Sequence, residues 1–285
     1  MEISLGKTIQ IYLPDGNPRS LKVAEITSRT VQAILVPRSR LDFAYQRNEL
    51  ENVGIYFLIG NPDDEIKPLL YVGEAEDVSI RLKQQNKAKD FWNTAIAIIS
   101  KTKYFTKTHI KFLEWYCHEE AKKAGRYKME NASIPSKPYT LEPIQADLLD
   151  NFESIRILTS TLGFPIFDPI IKPKKKDVLI CKGMGIQAEG EYTEDGFVVF
   201  ANSTAKIKET KTIGSWISKL RSKLIEEGIL AEEKDVYRFT QNHIFSSPSG
   251  AAGTILGRSA NGWELWKYSN GKTLSEVIRS DNAQD

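Results

Sequence analysis

Tyr56 lies in GIYFLIG and Tyr71 in LLYVG, two short apolar runs that each carry one tyrosine and touch a glycine. Runs of this length, rich in β-branched and aromatic residues and bounded by turn residues, read as strands. The joint between them, NPDDEIKP, contains two prolines and an Asp pair and reads as an exposed hairpin loop. Side chains facing one another on adjacent antiparallel strands sit about 5 Å apart, so the two phenols can line one patch of a sheet. Arg81 follows in EDVSIRLKQQ. A phenol titrates at about 10 in isolation, and a close positive charge lowers that value. A guanidinium is a fixed cation whose planar fork suits a phosphate. Taken alone, the tyrosines read as packing on half-buried strands and Arg81 as a solvated helix charge; brought together they would suit proton transfer beside an anion.

Local charge fits such an anion better than total charge does. The formal net charge is only +2, which by itself announces no nucleic-acid partner. Residues 101–128, however, hold eight Lys or Arg against three Glu. Lys101, Lys103, Lys107 and Lys111 lead into or open a helical segment there and are the candidate phosphate contacts. Other chemistries lack their residues. Cys117 and Cys181 are the two cysteines, 64 positions apart, which is neither a zinc pattern nor a disulfide framework. GKT at Gly6 lacks the earlier glycine and preceding strand of a phosphate loop, and the loose G-x-G of CKGMGIQAEGEY has no helix after it. No cofactor motif is present. No stretch approaches the ~18 apolar residues of a membrane span, and MEISLGKTIQ has no apolar core of signal-peptide length. The expectation is a soluble, cytoplasmic protein with its thiols reduced.

The elements that must position these groups follow from period and punctuation. At 285 residues, two domains are expected. KTIQIYL, LKVAEI and TVQAILV alternate as strands and form a β-rich N-terminal extension over 1–50. SRLDFAYQRNELE has helical spacing at Leu41, Phe43, Ala44 and Leu50. Asp77 caps a helix through VSIRLKQQ with Val78 and Leu82 inward. NTAIAIIS reads as a strand buried on both faces. HIKFLEWYCHEEAKKAG is a long helix with Thr108 as N-cap and Gly125 as its stop. His118, four residues after Glu114, reads as exposed on a charged face. A further helix carries Ile144, Leu148, Phe152, Ile155 and Leu158. Residues 171–191 read as a basic, glycine-bearing linker, with KPKKKD at its start. A smaller unit follows over 192–275. It has an amphipathic helix with Trp216, Leu220 and Leu224 on one side, and a short helix capped by Ser247 and ended by Gly257. SANGWELWKY reads as a turn into a strand bearing Trp263 and Trp266. The last ten residues read as frayed.

GIY at Gly54–Tyr56 followed by YVG at Tyr71–Gly73 resembles the GIY-YIG nuclease family. Arg81 after the second motif, Glu114 in IKFLEWY and Asn131 in MENASIP complete that family's order over residues 52–131. YVGEAEDV and SKTKYFTKTHIKFLE resemble the bacterial branch that carries an extra C-terminal module. The resemblance implies an α+β fold, with a small three-stranded antiparallel sheet flanked by helices over residues 51–170. It also implies a phosphodiester hydrolase that cuts DNA with Mg²⁺ or Mn²⁺. Tyr56 or Tyr71 would help activate water, Arg81 would stabilise charge, Glu114 would hold the metal, and Asn131 would orient the site or its strand. Magnesium is commonly held by one or two carboxylates plus waters and substrate phosphate, which a single Glu114 satisfies. Two features depart from the family. Fourteen residues separate the motifs, an insertion placed in the hairpin loop. Gln84 and Gln85 stand where many members carry a histidine, so a general base must come from elsewhere, with Lys107 or His109 as candidates.

Residues 196–273 resemble a small uncharacterised module found behind GIY-YIG domains, through FVVFANSTAKI, FSSPSGAAGTILGRSANGW and ELWK. No acid–base pair or metal cluster appears in it, and a binding role is the natural reading. Lys219, Arg221, Lys223, Arg258 and Lys267 supply charge. Trp216, Trp263 and Trp266 either stack on bases or fill the core, and the needs of a small unit favour the core. Against the endonuclease stands a non-catalytic nucleic-acid-binding or regulatory protein on the same scaffold, favoured by the missing histidine. Target structure, oligomeric state and pathway stay open.

Overall fold

Alternating apolar residues near the N-terminus build β1 (Ile9–Tyr12), β2 (Lys22–Ile26) and β3 (Val31–Pro37), an antiparallel meander. The computed structural model describes residues 6–62, 65–170 and 178–279. It divides into two units, Met1–Pro169 and Ile170–Asp285. In the first unit the chain continues through α1 (Leu41–Ala44), β4 (Gly54–Gly60), β5 (Leu69–Ala75), α2 (Val78–Ala88) and β6 (Thr94–Ser100). It closes with α3 (Lys107–Ala124), β7 (Lys128–Met129) and α4 (Glu142–Thr161). The fold is mixed α+β.

The sheet has seven strands in the order β1-β2-β3-β6-β4-β5-β7, not three. β3 pairs with β6 from Val31↔Ser100 to Pro37↔Thr94, so the N-terminal strands continue the same sheet rather than forming a separate layer. Both strands are nearly continuous apolar runs, and neither offers a polar edge at which the sheet would end. β4 lies between β6 and β5, antiparallel to both, and β7 alone runs parallel, against Leu69 and Leu70. One face packs Tyr56, Leu58, Ala95 and Ala97 against Val78 and Leu82 of α2. The other packs Ile55, Phe57, Val72, Ile96 and Ile98 against α3 and α4 through Ile110, Leu113, Phe152 and Ile155.

Local punctuation acts as the sequence suggests at several ends. Asp77 accepts a hydrogen bond from the Ile80 backbone N–H, and Gly125 ends α3 at φ 70°. The α3 cap is Thr106, not Thr108. Thr106 has the extended backbone a cap requires, and its hydroxyl accepts from the N–H of His109 three residues on. The helix thereby starts early enough to include Lys107. His118 is buried rather than exposed, with Nδ1 3.4 Å from Glu119 Oε1. The helix expected over residues 39–51 reduces to α1, set between short 3₁₀ turns.

The second unit holds β8 (Leu179–Gly183), β9 (Ile186–Thr193), β10 (Gly196–Val199), β11 (Thr204–Lys206) and α5 (Ser215–Glu226). It continues with β12 (Leu230–Glu233), β13 (Val236–Phe239), β14 (His243–Phe245), α6 (Pro248–Leu256), α7 (Gly262–Leu265) and α8 (Leu274–Ile278). A four-stranded sheet, β14-β10-β9-β8, accompanies a three-stranded one, β11-β13-β12. The linker reading of 171–191 fails over its second part. Residues 179–193 form the β8–β9 hairpin, closed between Gly183 and Ile186 with Gly185 at φ 76°. KPKKKD lies outside the described residues, as do the last six positions.

Two further expectations change in this unit. Residues 262–265 are helical, because Asn261 caps α7 and a Cβ on Gly262 would lie 2.1 Å from the Pro248 carbonyl oxygen. Trp266 is fully buried and donates from Nε1 to that same oxygen at 3.1 Å. Helix α5 turns Ile217, Arg221 and Leu224 inward and leaves Trp216 exposed. α8 is held by a reciprocal Thr273–Glu276 capping box, so residues 276–278, expected to fray, are helical. Among the described residues no helix is long and apolar enough to cross a membrane.

Candidate active site

Tyr56 pairs across the β4–β5 ladder with Gly73, and Leu58 with Tyr71. The tyrosines therefore sit diagonally on one face rather than directly opposite, with ring centroids 6.0 Å apart. The glycine between them is a slot. A Cβ on Gly73 would lie 2.5 Å from Cζ and Oη of Tyr56 and 2.8 Å from Cε1 of Tyr71. Gly54 is equally constrained, since its Cβ would meet the Ile98 carbonyl oxygen at 2.4 Å. Both glycines in the GIY and YVG triplets thus follow from packing.

The two phenols differ in environment. Tyr56 is 1% exposed, and its oxygen accepts from Gln85 Nε2 at 2.9 Å. Burial pushes this phenol well above its ordinary value, and the opposing pull of Arg81 is smaller. A lowered pKa does not hold at Tyr56; desolvation wins over the nearby charge. Tyr71 is only half-buried, with the Lys89 ammonium 4.5 Å from its ring centre. Gln85 occupies the position one turn after Arg81, where the sequence lacks a histidine. Its amide holds Tyr56 without being able to titrate.

Arg81 stands on α2, half-buried, with one guanidinium nitrogen 3.1 Å from Gln84 Oε1. Its charge acts on both the Tyr56 phenol and the Glu114 carboxyl. Glu114, in the middle of α3, has its carboxyl pushed up to about 7, first by burial and then by the charge of Glu74. The backbone N–H of Glu74, a residue that directly follows YVG, opposes that rise. Glu74 is the site residue the sequence reading missed. Its signal was adjacency alone, three positions after Tyr71.

Asn131 does not enter this cluster. Its side chain closes a reciprocal pair on Val72, with Nδ2 donating to the carbonyl oxygen at 2.7 Å and Oδ1 accepting from the N–H at 3.1 Å. It orients the strand. The exposed edge of β5 is thus served in order by β7 at Pro68 and Leu70 and by Asn131 at Val72, with Glu74 the next residue along it to face that way.

The candidate phosphate contacts separate. Lys101 pairs with Glu25 at 3.1 Å on the N-terminal strands, and Lys103 sits in the turn after β6 at φ 56°. Lys107 forms an ion pair with Glu76, and Lys111 lies close enough to lower the Glu114 carboxyl. His109 turns toward Tyr104, 5.0 Å between ring centres, with Nδ1 3.2 Å from the Tyr104 carbonyl oxygen. Among the described residues no group of three or more His, Cys, Asp or Glu could hold a metal. Glu74 and Glu114 remain as an adjacent carboxylate pair. Their mutual repulsion, visible in the raised Glu114 value, is the kind a divalent cation relieves, and two carboxylates suffice for Mg²⁺ when phosphate and waters complete the shell.

Residues 179–278, all in the second unit, match a family described as a domain of unknown function, DUF4357. No curated protein and no solved structure matches the chain.

Proposed function

We propose that the chain is a metal-dependent endonuclease that hydrolyses phosphodiester bonds in DNA, on a scaffold of the GIY-YIG kind. One observation carries the reading. The Gln85 amide of α2, the helix that also carries Arg81, donates to the Tyr56 oxygen at 2.9 Å, and the Arg81 charge is the weakest of the named influences on both the Tyr56 phenol and the Glu114 carboxyl. The antiparallel β6-β4-β5 triplet with Tyr56 and Tyr71 on one face is further support.

Each residue then has a task. Arg81 binds the non-bridging oxygens and stabilises charge as the phosphorus becomes pentacovalent. Tyr71, the phenol with access to solvent, orients the attacking water, whose proton passes to solvent. The bond to the leaving oxygen breaks as the new P–O bond forms, and the alkoxide is protonated by solvent. Tyr56, held by Gln85 and the Gly73 slot, keeps Tyr71 in place. Lys107 and Lys111 contact flanking phosphates. A Mg²⁺ or Mn²⁺ ion held by Glu114 and Glu74 would supply charge relief at the phosphate and leaving oxygen.

The test is plasmid and single-stranded DNA incubated with the protein, with and without Mg²⁺ or Mn²⁺. Wild type cuts only with metal, and Glu114→Ala and Arg81→Ala each lose cleavage while keeping the wild-type circular dichroism. Wild-type rates in either variant would overturn the residue assignment. A second reading, a nucleic-acid-binding protein without turnover, is favoured by Gln85, which replaces a titratable group next to Tyr56. Metal-independent binding with no cleavage by wild type would establish it.

A further inference from the structure

Helix α5 is turned against its own chemistry. Its arginine, Arg221, is 1% exposed, while its tryptophan, Trp216, is 55% exposed. The arginine is inside because its donors are met by Glu209 and by the backbone carbonyls of Lys206, Ile207 and Thr254. Nothing comparable explains the tryptophan outside, since a large apolar ring is what a small unit normally buries.

The ring is nonetheless seated. A Cβ on Gly214 would lie 3.2 Å from its Nε1 and 3.3 Å from its Cδ1, and a Cβ on Gly250 would lie 3.3 Å from its Cη2. The five-membered ring rests on one glycine and the six-membered ring on the other. Two residues without side chains let the indole press against backbone, which limits its freedom and leaves a large aromatic surface presented to solvent.

The loop and helix turn beside it carry an excess of cations. The 208–214 loop runs along the end of α6, with the Thr210 N–H donating to the Gly257 carbonyl at 2.8 Å and the Ser259 hydroxyl donating to the Thr212 carbonyl at 2.9 Å. This contact places Lys208 and Lys211 beside Arg258, with Trp216 at the loop's end and Lys219 one turn further. All four cations are exposed, and Lys208, Lys211 and Lys219 form no ion pair among the described residues. The one acid between 208 and 225, Glu209, is committed to Arg221 at 2.9 Å and Ser218 at 2.7 Å. Residues 246–263 contain no acid at all.

We propose that this face of the second unit binds single-stranded nucleic acid, with a base stacked on Trp216 and its flanking phosphates on Lys208, Lys211, Lys219 and Arg258. The bases of a duplex hide their faces in the stack, so an isolated exposed indole has purchase only on unpaired bases. Aromatic stacking tolerates any base, and the cations supply a salt-dependent share of affinity. The surface lies outside the groups assigned to cleavage and stands or falls without them.

The experiment uses the full chain in EDTA, so that cutting does not intervene. Fluorescein-labelled 20-mers of DNA, of RNA with the same sequence, and of the DNA duplex are titrated by anisotropy at several salt concentrations, and tryptophan emission is followed in parallel. At least one single strand binds more tightly than the duplex, and the DNA and RNA arms identify which. Trp216→Ala weakens that binding about tenfold, Trp216→Phe retains most of it, and the tryptophan quenching of wild type is lost in Trp216→Phe. Replacing Lys208, Lys211 and Arg258 together by Ala lowers the slope of log K against log salt by about 2. Affinity within twofold of wild type for Trp216→Ala, together with unchanged quenching in Trp216→Phe, overturns the proposal. So does a preference for the duplex, or a Trp216→Ala change confined to self-association in sedimentation.

Discussion

The two units each bury a charge, and they treat it in opposite ways. In the second, Arg221 is enclosed, and four of its five N–H donors meet an acceptor. In the first, Glu114 is half-buried beside another carboxylate, so its proton is held up to about 7. A buried charge with its partners fixed is costly to disturb and offers little to a ligand. A carboxylate kept close to its own kind is poised to accept a cation. That contrast, rather than burial itself, separates the structural ion from the candidate functional one.

The comparison can be broken first at its strongest point. Arg221→Met strands three carbonyls and Glu209, and should destabilise the second unit by about 3–5 kcal/mol, read as a lowered calorimetric transition. A loss below about 1 kcal/mol would mean the guanidinium is not met as described. Next comes the slot between the tyrosines. Gly73→Ala forces a methyl into the Tyr56 ring and should cost about 1–3 kcal/mol, with cleavage lost even under conditions where the variant remains folded.

The smallest effect has a sign that can be checked. Because the Glu114 carboxyl titrates above its ordinary 4.5, the folded state holds its proton more tightly than the unfolded chain does. Its contribution to stability therefore falls as pH rises from 4.5 to about 7 and stays low above that. Glu114→Gln, which cannot ionise, should gain about 1–2 kcal/mol relative to wild type between pH 5 and pH 8 in EDTA, the full shift being discounted for partial exposure. Denaturant melts at the two pH values measure it, and a gain that is larger at pH 5 would reverse the argument.

What could be read from the chain was local. Asp77, Gly125, Ser247 and Gly257 end helices because capping involves residues three or four apart. The tyrosine strands were legible because period and turn residues sit together in LLYVG and GIYFLIG. What could not be read depended on partners far along the chain. That β3 joins β6 is decided by a ladder between residues 31 and 100, and no local pattern states it. The choice between Ile217 and Trp216 as the inward residue of α5 rests on Arg221 finding carbonyls from two other segments. The β8–β9 hairpin was obscured by the lysines and glycines it shares with the preceding segment. At the candidate site, Tyr56, Tyr71, Arg81 and Glu114 were legible as an ordered set, while Glu74 and the strand-holding task of Asn131 emerged only from the edge they share.

That edge has a consequence of its own. β7 is two residues long, and its brevity leaves the Val72 rung of β5 to be claimed by a side chain. A longer neighbour would satisfy Val72 with backbone and release Asn131 from its post. The same truncation leaves no free rung there for a foreign strand to extend, because a side-chain amide already occupies it. Where the sheet runs out of chain, one asparagine stands in for the missing strand.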